Sequence, residues 1–397
     1  MKNLHIADTE QVRSGDVTDV YFQRTETILR HMQASRHVCM EVYLKSFPDK
    51  RYRWGIFAGL EEVCVLLEGR AVSLRALPEG SVFFSGNPVM VIEGDYLEFG
   101  GFETAILGCL CQASGIATKA SRMKVASADR ALISFGARRM HPSIAPMVER
   151  AAFIGGCEGV ATIASARLIG EKPLGTMPHA LILQLGDTLS AAHAFDRIIE
   201  EEIPRVVLID TYQDEKFEAL RVAEGLGNRL FGIRLDTPAS RRGNFLSILK
   251  EVRWELDTHG HAQVKLYASG GLDLEDLLEL REVVDAFGVG TQLTSAATLD
   301  FSMDIVEIEG KPHAKRGKWS GKKSVLRCEK CMQDYVVPFG VTRPCQCQAP
   351  TTETLKPILI DGRLTEELPL AAHIRKRALG EVERLRANRS ESEFLCL

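Results

Sequence analysis

Four cysteines in the C-terminal part of the chain, Cys328, Cys331, Cys345 and Cys347, have a spacing that can hold one metal ion. Each pair can reach an ion from a tight turn, and the two pairs together complete a tetrahedron of thiolates. Because four thiolates leave no open coordination position, we predict a structural zinc ion here and the catalytic chemistry elsewhere. The alternative is four unrelated free thiols, although the other six of the ten cysteines are scattered or lie in apolar runs.

An aromatic ring, two guanidinium groups and an imidazole follow one apolar run in the middle of the chain. They belong to Phe135, Arg138, Arg139 and His141. Such a ring can stack on a planar ligand, while the cations neutralise a carboxylate or a phosphate. These residues predict a subsite for a flat anion, and the alternative is a core phenylalanine beside surface arginines.

Acidic and basic residues also occur where further apolar runs begin or end. Thr176 and His179 begin one run, Asp210 ends the next, and Arg234 and Asp236 end a third. Charges that point into a barrel are unfavourable unless they bind a charged or polar partner. We therefore predict that Asp236 binds ribose hydroxyls or Mg²⁺. The alternatives are a ring of salt bridges for the acids and a structural role for the histidine.

Glycines that follow the last two apolar runs predict a phosphate site. Backbone N–H groups in such loops, next to a helix N-terminus, attract anions. The residues concerned are Ser269, Gly270, Gly271, Gly288, Gly290 and Thr291. A basic loop at 315–323, which contains Lys318, can hold further phosphate or be a solvated surface loop.

The elements that must position these residues follow from the hydrophobic pattern. In chain order we predict a helix at 18–34, a strand at 37–46, a helix at 59–69, strands at 71–77 and 89–96, and two helices within 96–127 that break near Ser114 and Gly115. This mixture of helix and strand is typical of an α+β domain.

From about residue 130 the pattern becomes a βα repeat of a parallel sheet. The six apolar runs, each predicted as a strand, lie at 131–139, 179–188, 205–212, 230–237, 264–271 and 286–291. Helical patterns at 213–226 and 273–285 separate some of them. Six units are fewer than the eight of a closed barrel, so we predict an irregular, incomplete (β/α) barrel with functional residues at its strand ends.

Length and composition limit the possible classes of protein. A chain of 397 residues predicts two or three domains, which we place at 1–128, 129–303 and 304–397, the first completed by later segments. The net charge of −4 gives no case for nucleic-acid binding, and no apolar run is long enough to span a membrane. The first residues lack the apolar centre of a signal peptide, so we expect a cytoplasmic protein.

The motifs together resemble nicotinate phosphoribosyltransferase, in its short, archaeal-like form, over nearly the whole chain. They are TDVYFQRT at 18–25, FGARRMHPSIAP at 135–146, GTMPHAL at 175–181, DTYQDE at 210–215, RLDTPASRRG at 234–243, SGGLD at 269–273, FGVGT at 287–291 and AKRGKWSGKK at 314–323. The resemblance implies a type II phosphoribosyltransferase fold: an N-terminal α/β sandwich, the incomplete barrel and a small zinc-knuckle-like module. It also implies a homodimer or higher homo-oligomer with a shared active site.

The implied reaction converts nicotinate and phosphoribosyl pyrophosphate to nicotinate mononucleotide and pyrophosphate, with Mg²⁺ and with ATP as co-substrate. By resemblance, the pyridine ring is held between Phe135 of the same chain and Tyr21 of the partner subunit. Arg138 neutralises its carboxylate or a nearby phosphate. His179 matches the histidine that ATP phosphorylates. Asp236 holds the ribose with Mg²⁺, and Arg234 faces the substrate. The glycines named above are implied to hold the 5′-phosphate.

One residue departs from the expected pattern. Glu158 lies where related nicotinamide enzymes place an acid that contacts the amide, and a carboxylate there would repel nicotinate. We expect Glu158 to point away or to pair with an arginine. Nicotinamide and quinolinate phosphoribosyltransferase remain the alternative enzymes. The non-enzymatic alternative is a zinc-module binding protein on a degenerate barrel.

Overall fold

The computed structural model describes residues 4–387 and 389–395. Contacts between residues divide the chain into two compact units. The first unit consists of Met1–Ser121 and Ala296–Leu397, and the second is Arg122–Ser295. The sequence-based domain limits stay predictions; the region from 304 onward contributes strands to the sheet of the first unit. None of the helices in the described part of the chain has the length and apolar character needed to cross a membrane.

The strands of the described residues are numbered in chain order. They are β1 (His37–Leu44), β2 (Gly55–Ile56), β3 (Val72–Ala76), β4 (Val82–Phe83), β5 (Pro88–Asp95), β6 (Ala131–Ser134), β7 (Gly159–Val160), β8 (Val206–Leu208), β9 (Gly232–Leu235), β10 (Lys265–Ser269), β11 (Ala286–Val289), β12 (Phe301–Ile308), β13 (Lys311–Pro312), β14 (Lys323–Cys328), β15 (Asp334–Pro338), β16 (Thr351–Glu353), β17 (Lys356–Ile360) and β18 (Arg363–Leu364).

The α-helices are numbered in the same way. They are α1 (Thr9–Ser14), α2 (Val20–Met32), α3 (Leu60–Leu67), α4 (Tyr96–Phe99), α5 (Glu103–Ala126), α6 (Ala145–Ile154), α7 (Ile163–Ile169), α8 (His179–Leu185), α9 (Thr188–Ile198), α10 (Glu215–Leu226), α11 (Ala239–Arg242), α12 (Phe245–Thr258), α13 (Leu274–Leu280), α14 (Thr291–Thr294), α15 (Ala371–Arg386) and α16 (Glu391–Leu395).

The first unit is built on a seven-stranded sheet in the order β13-β12-β1-β5-β3-β17-β18. The pairings of the central strands are antiparallel, with Tyr43 opposite Ser302 and Leu74 opposite Ile92. Apolar side chains of α3 and α5, including Val63 and Ile106, are fully buried in the same core as the sheet residues. The sequence-based prediction of an N-terminal α/β sandwich is confirmed.

The predicted break near Ser114 and Gly115 is wrong, because α5 continues through both residues. The Ser114 hydroxyl accepts a hydrogen bond from the Ala58 amide and donates one to the Ala58 carbonyl. A Cβ on Gly115 would lie 2.4 Å from the carbonyl oxygen of Ala297. Serine and glycine have weak helix propensity. Here both residues pack closely against neighbouring backbone within the first unit, and this packing outweighs that propensity.

The second unit contains a six-stranded parallel sheet in the order β7-β6-β11-β10-β9-β8. This confirms the predicted incomplete barrel. One predicted strand is wrong: the run at 179–188 forms α8 and the start of α9, and the sixth strand is β7. β7 has only two residues, Gly159 and Val160, and a run of that length carries no periodicity that a sequence could reveal.

We predict that Gly115→Ala destabilises the protein by about 1–3 kcal/mol, because the added methyl group meets backbone that cannot rotate away. The matched control is Gly108→Ala, on the same helix, where a Cβ would meet nothing within 4 Å. That change should stabilise by up to about 1 kcal/mol, the usual gain in helix propensity. Thermal denaturation of both variants measures the difference, and equal melting temperatures would contradict the prediction.

Candidate active site

A pocket of about 530 Å³ lies at the carboxyl ends of the parallel strands in the second unit. Its lining includes Phe135, Arg138, His179, Arg234 and Asp236. Phe135 directly follows β6 and Asp236 directly follows β9, while Arg234 lies within β9. Because parallel strands end at one edge of their sheet, residues far apart in sequence meet there. The predicted strand-end residues are therefore brought together.

His179, the first residue of α8, faces two carboxylates. Its Nε2 atom lies 3.9 Å from Oδ1 of Asp210 and 3.9 Å from Oδ2 of Asp236. Its Nδ1 atom forms a 3.0 Å hydrogen bond with the Thr211 hydroxyl, which fixes the orientation of the ring. The His179 side chain is 40% exposed, so Nε2 is within reach of a ligand in the pocket.

The two carboxylates differ in burial and in hydrogen bonding. Oδ2 of Asp210 accepts a hydrogen bond from the Asp236 amide at 3.0 Å, and Oδ1 of Asp236 accepts one from the Ser269 hydroxyl at 2.9 Å. The Asp210 side chain is 1% exposed, and its Oδ1 atom has no hydrogen-bond partner among the described residues. One oxygen of each carboxylate thus remains directed at His179.

Burial sets the protonation behaviour of these groups. It raises the pKa of Asp210; the Asp236 charge adds to the increase, and His179 opposes it. Burial also lowers the pKa of Arg234, although Asp236 and Asp210 act in the other direction. Both shifts are typical of charged groups that are held in a cleft before a ligand arrives.

Arg234 connects three sides of the pocket. Its guanidinium donates hydrogen bonds to the Met177 carbonyl at 3.2 Å and to the Ser269 hydroxyl at 3.3 Å. It lies 3.8 Å from Oδ2 of Asp236 and 5.8 Å from the centre of the Phe135 ring. The ring needs a glycine beside it, because a Cβ on Gly288 would lie 2.4 Å from its carbon atoms.

The predicted phosphate loops have different local structures. Gly270 and Gly271 adopt φ values of +96° and +74°, which glycine tolerates, and a Cβ on Gly270 would lie 3.1 Å from Oδ1 of Asp236. The following helix, α13, is already capped, because the Asp273 carboxylate accepts from the Asp276 amide. Gly290 directly precedes α14, which begins at Thr291 and has four residues. Any anion held here would depend on loop N–H groups rather than on a long helix.

The remaining predicted residues lie in several places. Thr176 lines the pocket, whereas Arg139 and His141 are exposed and the His141 ring accepts a hydrogen bond from the Ser143 amide. Tyr21 belongs to the first unit and is 55% exposed. Lys318, also in that unit, lies 2.8 Å from Asp304. The functional roles assigned to all of them stay predictions.

Glu158 pairs with a lysine rather than with an arginine. Its carboxylate lies 2.8 Å from the Lys124 ammonium and accepts a hydrogen bond from the Leu132 amide at 2.6 Å. Thr211, which orients His179, lies within the quoted motif DTYQDE, but sequence analysis assigns it no role of its own. Glu149, which binds a pocket-lining loop, belongs to no motif and gives no sequence signal.

The four predicted metal ligands meet in the first unit. Their sulfur atoms all lie within 4.8 Å of one another, with Cys328–Cys347 and Cys331–Cys345 separations of 3.5 Å. Tetrahedral Zn–S bonds of about 2.3 Å require S–S separations of roughly 3.8 Å. The Tyr335 hydroxyl, 3.3 Å from the Cys345 sulfur, lowers the pKa of that thiol to about 6. The cluster can hold a metal ion.

Comparisons with known proteins agree with this architecture. The family model of the quinolinate phosphoribosyl transferase N-terminal domain matches residues 19–114, and that of its C-terminal domain matches residues 116–304. The human nicotinic acid phosphoribosyltransferase structure has the same fold, with a TM-score of 0.77 at 20% identity over 93% of this chain and 94% of that one. The fold is that of a type II phosphoribosyltransferase.

Closer relatives define the family. A nicotinate phosphoribosyltransferase of Mycobacterium tuberculosis is 30% identical over 90% of this chain and 88% of its own length. A crystal structure of nicotinate-nucleotide pyrophosphorylase from Pyrococcus furiosus is 50% identical, with a TM-score of 0.95 over 97% of this chain and 99% of that one. The chain belongs to the nicotinate phosphoribosyltransferase family.

We predict that Asp210→Asn stabilises the protein at neutral pH while abolishing activity. The pKa of Asp210 is raised in the folded state, so the ionised carboxylate destabilises the fold once the pH exceeds that pKa. A neutral amide at the same position carries no charge at any pH and avoids this cost. The melting temperature should rise by about 2–4 °C for each kcal/mol of relief, and the gain should vanish in acid. Thermal denaturation between about pH 4 and 8 measures it.

The control for this prediction is Asp187→Asn in the same unit. The Arg221 guanidinium holds the pKa of Asp187 below its usual range, so its contribution to stability has the opposite sign. That variant should lose stability at neutral pH. A neutral-pH melting temperature of Asp210→Asn at or below that of the wild type would contradict the prediction.

Proposed function

We propose that this enzyme transfers the phosphoribosyl group of phosphoribosyl pyrophosphate to nicotinate, giving nicotinate mononucleotide and pyrophosphate for NAD biosynthesis. The observation that carries the proposal is a single pocket that joins a ring-and-guanidinium side to a carboxylate-and-histidine side. The first suits a flat monoanion and the second suits a phosphorylated sugar. The names of the curated relatives support the same reaction.

The base would lie against the Phe135 ring, with its carboxylate at the exposed guanidinium of Arg138. By resemblance, Tyr21 of the partner subunit would cover the other face of the base in a homodimer or higher oligomer. The α2 side chains of Val20, Ile28 and Met32 are more than half exposed, which supports a partner on that helix. The pyridine nitrogen attacks directly, so the site needs to position the base rather than deprotonate it.

The sugar would lie at the two carboxylates. The Oδ2 of Asp236, which lines the pocket, suits ribose hydroxyls and Mg²⁺, which prefers oxygen ligands. Asp210 is buried beside it and adds negative charge. When bound, Mg²⁺ would neutralise the pyrophosphate leaving group. As the bond at the anomeric carbon breaks, the negative charge of the carboxylates stabilises the oxocarbenium character of the ribose. The loops at 269–271 and 288–291 would hold the 5′-phosphate.

ATP would act through His179. Thr211 orients the ring, and Nε2 faces the carboxylates, so His179 is placed to accept a phosphoryl group and to link ATP hydrolysis to transfer. This role rests on the match of GTMPHAL to the family motif.

Quinolinate is the second candidate base, because the matching family models carry its name. Its two carboxylates require a second cation beside Arg138. Both terminal nitrogens of the Arg234 guanidinium already donate, to Ser269 and to the Met177 carbonyl, and only the buried Nε lacks a partner among the described residues, so the pocket favours one carboxylate. The salt bridge of Glu158 with Lys124 removes the acid that would favour nicotinamide.

The proposal is tested by assaying nicotinate, nicotinamide and quinolinate with phosphoribosyl pyrophosphate and Mg²⁺, with and without ATP. We expect turnover of nicotinate and stimulation by ATP. His179→Ala should lose the stimulation and keep a slow, ATP-independent transfer. Turnover of quinolinate or nicotinamide alone would reject the proposed base, and full ATP stimulation of His179→Ala would reject the role of the histidine.

We further propose that the cysteine cluster binds one structural zinc ion, and that the protein works in a reducing cytoplasm. The near-tetrahedral sulfur separations support zinc, and buried free thiols such as Cys39 and Cys64 suit such a compartment. Arg327, next to Cys328, donates to Asp334 of β15 within the module and to Glu381 of α15, and the second contact attaches the module to that helix.

Metal content and stability test the zinc site. Cys347→Ser should reduce zinc from about one ion per chain and lower the melting temperature, because a structural site contributes directly to folding. Cys111→Ser, outside the cluster, is the control and should keep its metal. Equal zinc content in the two purified variants, measured by mass spectrometry, would contradict the assignment.

A further inference from the structure

Glu149 is a fully buried acid that none of the roles above uses. It lies on α6, and its side chain has no exposure to solvent. Its carboxylate accepts hydrogen bonds from the Ala161 amide at 2.9 Å, from the Thr162 amide at 3.2 Å and from the Thr162 hydroxyl at 2.8 Å. Ala161 and Thr162 line the same pocket as Phe135 and Arg138.

Ala161 and Thr162 form one wall of the pocket, and the sheet makes few hydrogen bonds that hold this wall in place. It follows β7, which has only two residues and pairs with β6 at the edge of the sheet. The Leu174 amide donates to the Val160 carbonyl, and the Thr162 hydroxyl also caps α7 by accepting from the Ser165 amide. Because so short a strand contributes few ladder hydrogen bonds, the three contacts of the Glu149 carboxylate are important for fixing this wall.

The position of the wall gives Glu149 a function. β6 and β7 are neighbours, so the loop that follows β7 lies beside the loop that carries Phe135 and Arg138. We propose that Glu149 is a positioning residue that fixes the wall of the subsite for the pyridine base and so sets the affinity for that base. The inference rests on the proposed function, because it assumes that the ring binds at Phe135.

The chemistry of the wall adds a reason for specificity. Loop N–H groups at the end of a strand are common ligands for anions. Here Glu149 occupies both the Ala161 and the Thr162 amides. The wall therefore presents neither donor to a substrate carboxylate, and recognition of the negative charge is left to Arg138.

Glu149→Gln tests the inference. The amide can accept from one N–H group but opposes the other with its own NH₂ group, so the loop must move. We expect the KM for nicotinate to rise by about tenfold, while the KM for phosphoribosyl pyrophosphate stays within about twofold. The matched control is Glu218→Gln on α10, where a carboxylate that is 1% exposed contacts Arg221 at 2.7 Å.

The control removes an equally buried charge from the same unit, away from the pocket lining. It should change the melting temperature without raising the KM for nicotinate. Equal effects of the two changes on that KM, or an equal rise in the KM of both substrates, would overturn the inference. If Glu149→Gln does not fold, Thr162→Val removes one of the three contacts, and an unchanged KM for nicotinate would then reject it.

The outcome is separable from that of the proposed function. If the wild type uses quinolinate or nicotinamide instead of nicotinate, the proposed function fails. The inference about Glu149 is then measured with the base that is used, and the same selective rise in its KM is expected.

Discussion

The buried carboxylate of Asp210 is the constraint on which the site depends. Its side chain is almost without solvent, yet it lies beside a second acid and accepts a hydrogen bond from the amide of that residue, Asp236. Burial of a charge is unfavourable unless the surroundings compensate it. Here compensation within the unit is incomplete, because one Asp210 oxygen has no hydrogen-bond partner in the described residues. The uncompensated charge of Asp210 lies beside His179 and Asp236, which do line the pocket, and so favours positive charge there.

The other features of the pocket keep that arrangement in place. Arg234 binds the Met177 carbonyl and Ser269, and Ser269 in turn binds Asp236. Gly288 leaves the space that the Phe135 ring fills. A parallel sheet brings these residues to one edge, and each is then held by a neighbour rather than by solvent. Such preorganisation lets the charges act without rearrangement when the substrate binds.

Much of this was predictable from sequence, for a physical reason. Parallel strands that are buried on both faces appear as apolar runs, and the polar residues at their ends are conspicuous, which is why Asp210 and Asp236 were found. β7 gives no sequence signal because two residues carry no pattern. The run that begins at His179 predicts a strand but forms a helix, because short apolar runs fit both. Glu149 gives no sequence signal, because two of its three partners are backbone amides and the third, the Thr162 hydroxyl, belongs to no motif that would pair it with an acid.

The order of the strands along the chain has a consequence for biosynthesis. The first unit is interrupted by the second, so β1 and β3 appear early, whereas their outer partners β12 and β17 follow residue 300. During translation the N-terminal strands are made before their partners, so their edge N–H and C=O groups stay unpaired. Unpaired strand edges can pair with other chains. The parallel sheet, by contrast, is continuous in sequence and can be complete while the ribosome still holds the C-terminal strands. The catalytic pocket can therefore form before the sheet that begins the chain is finished.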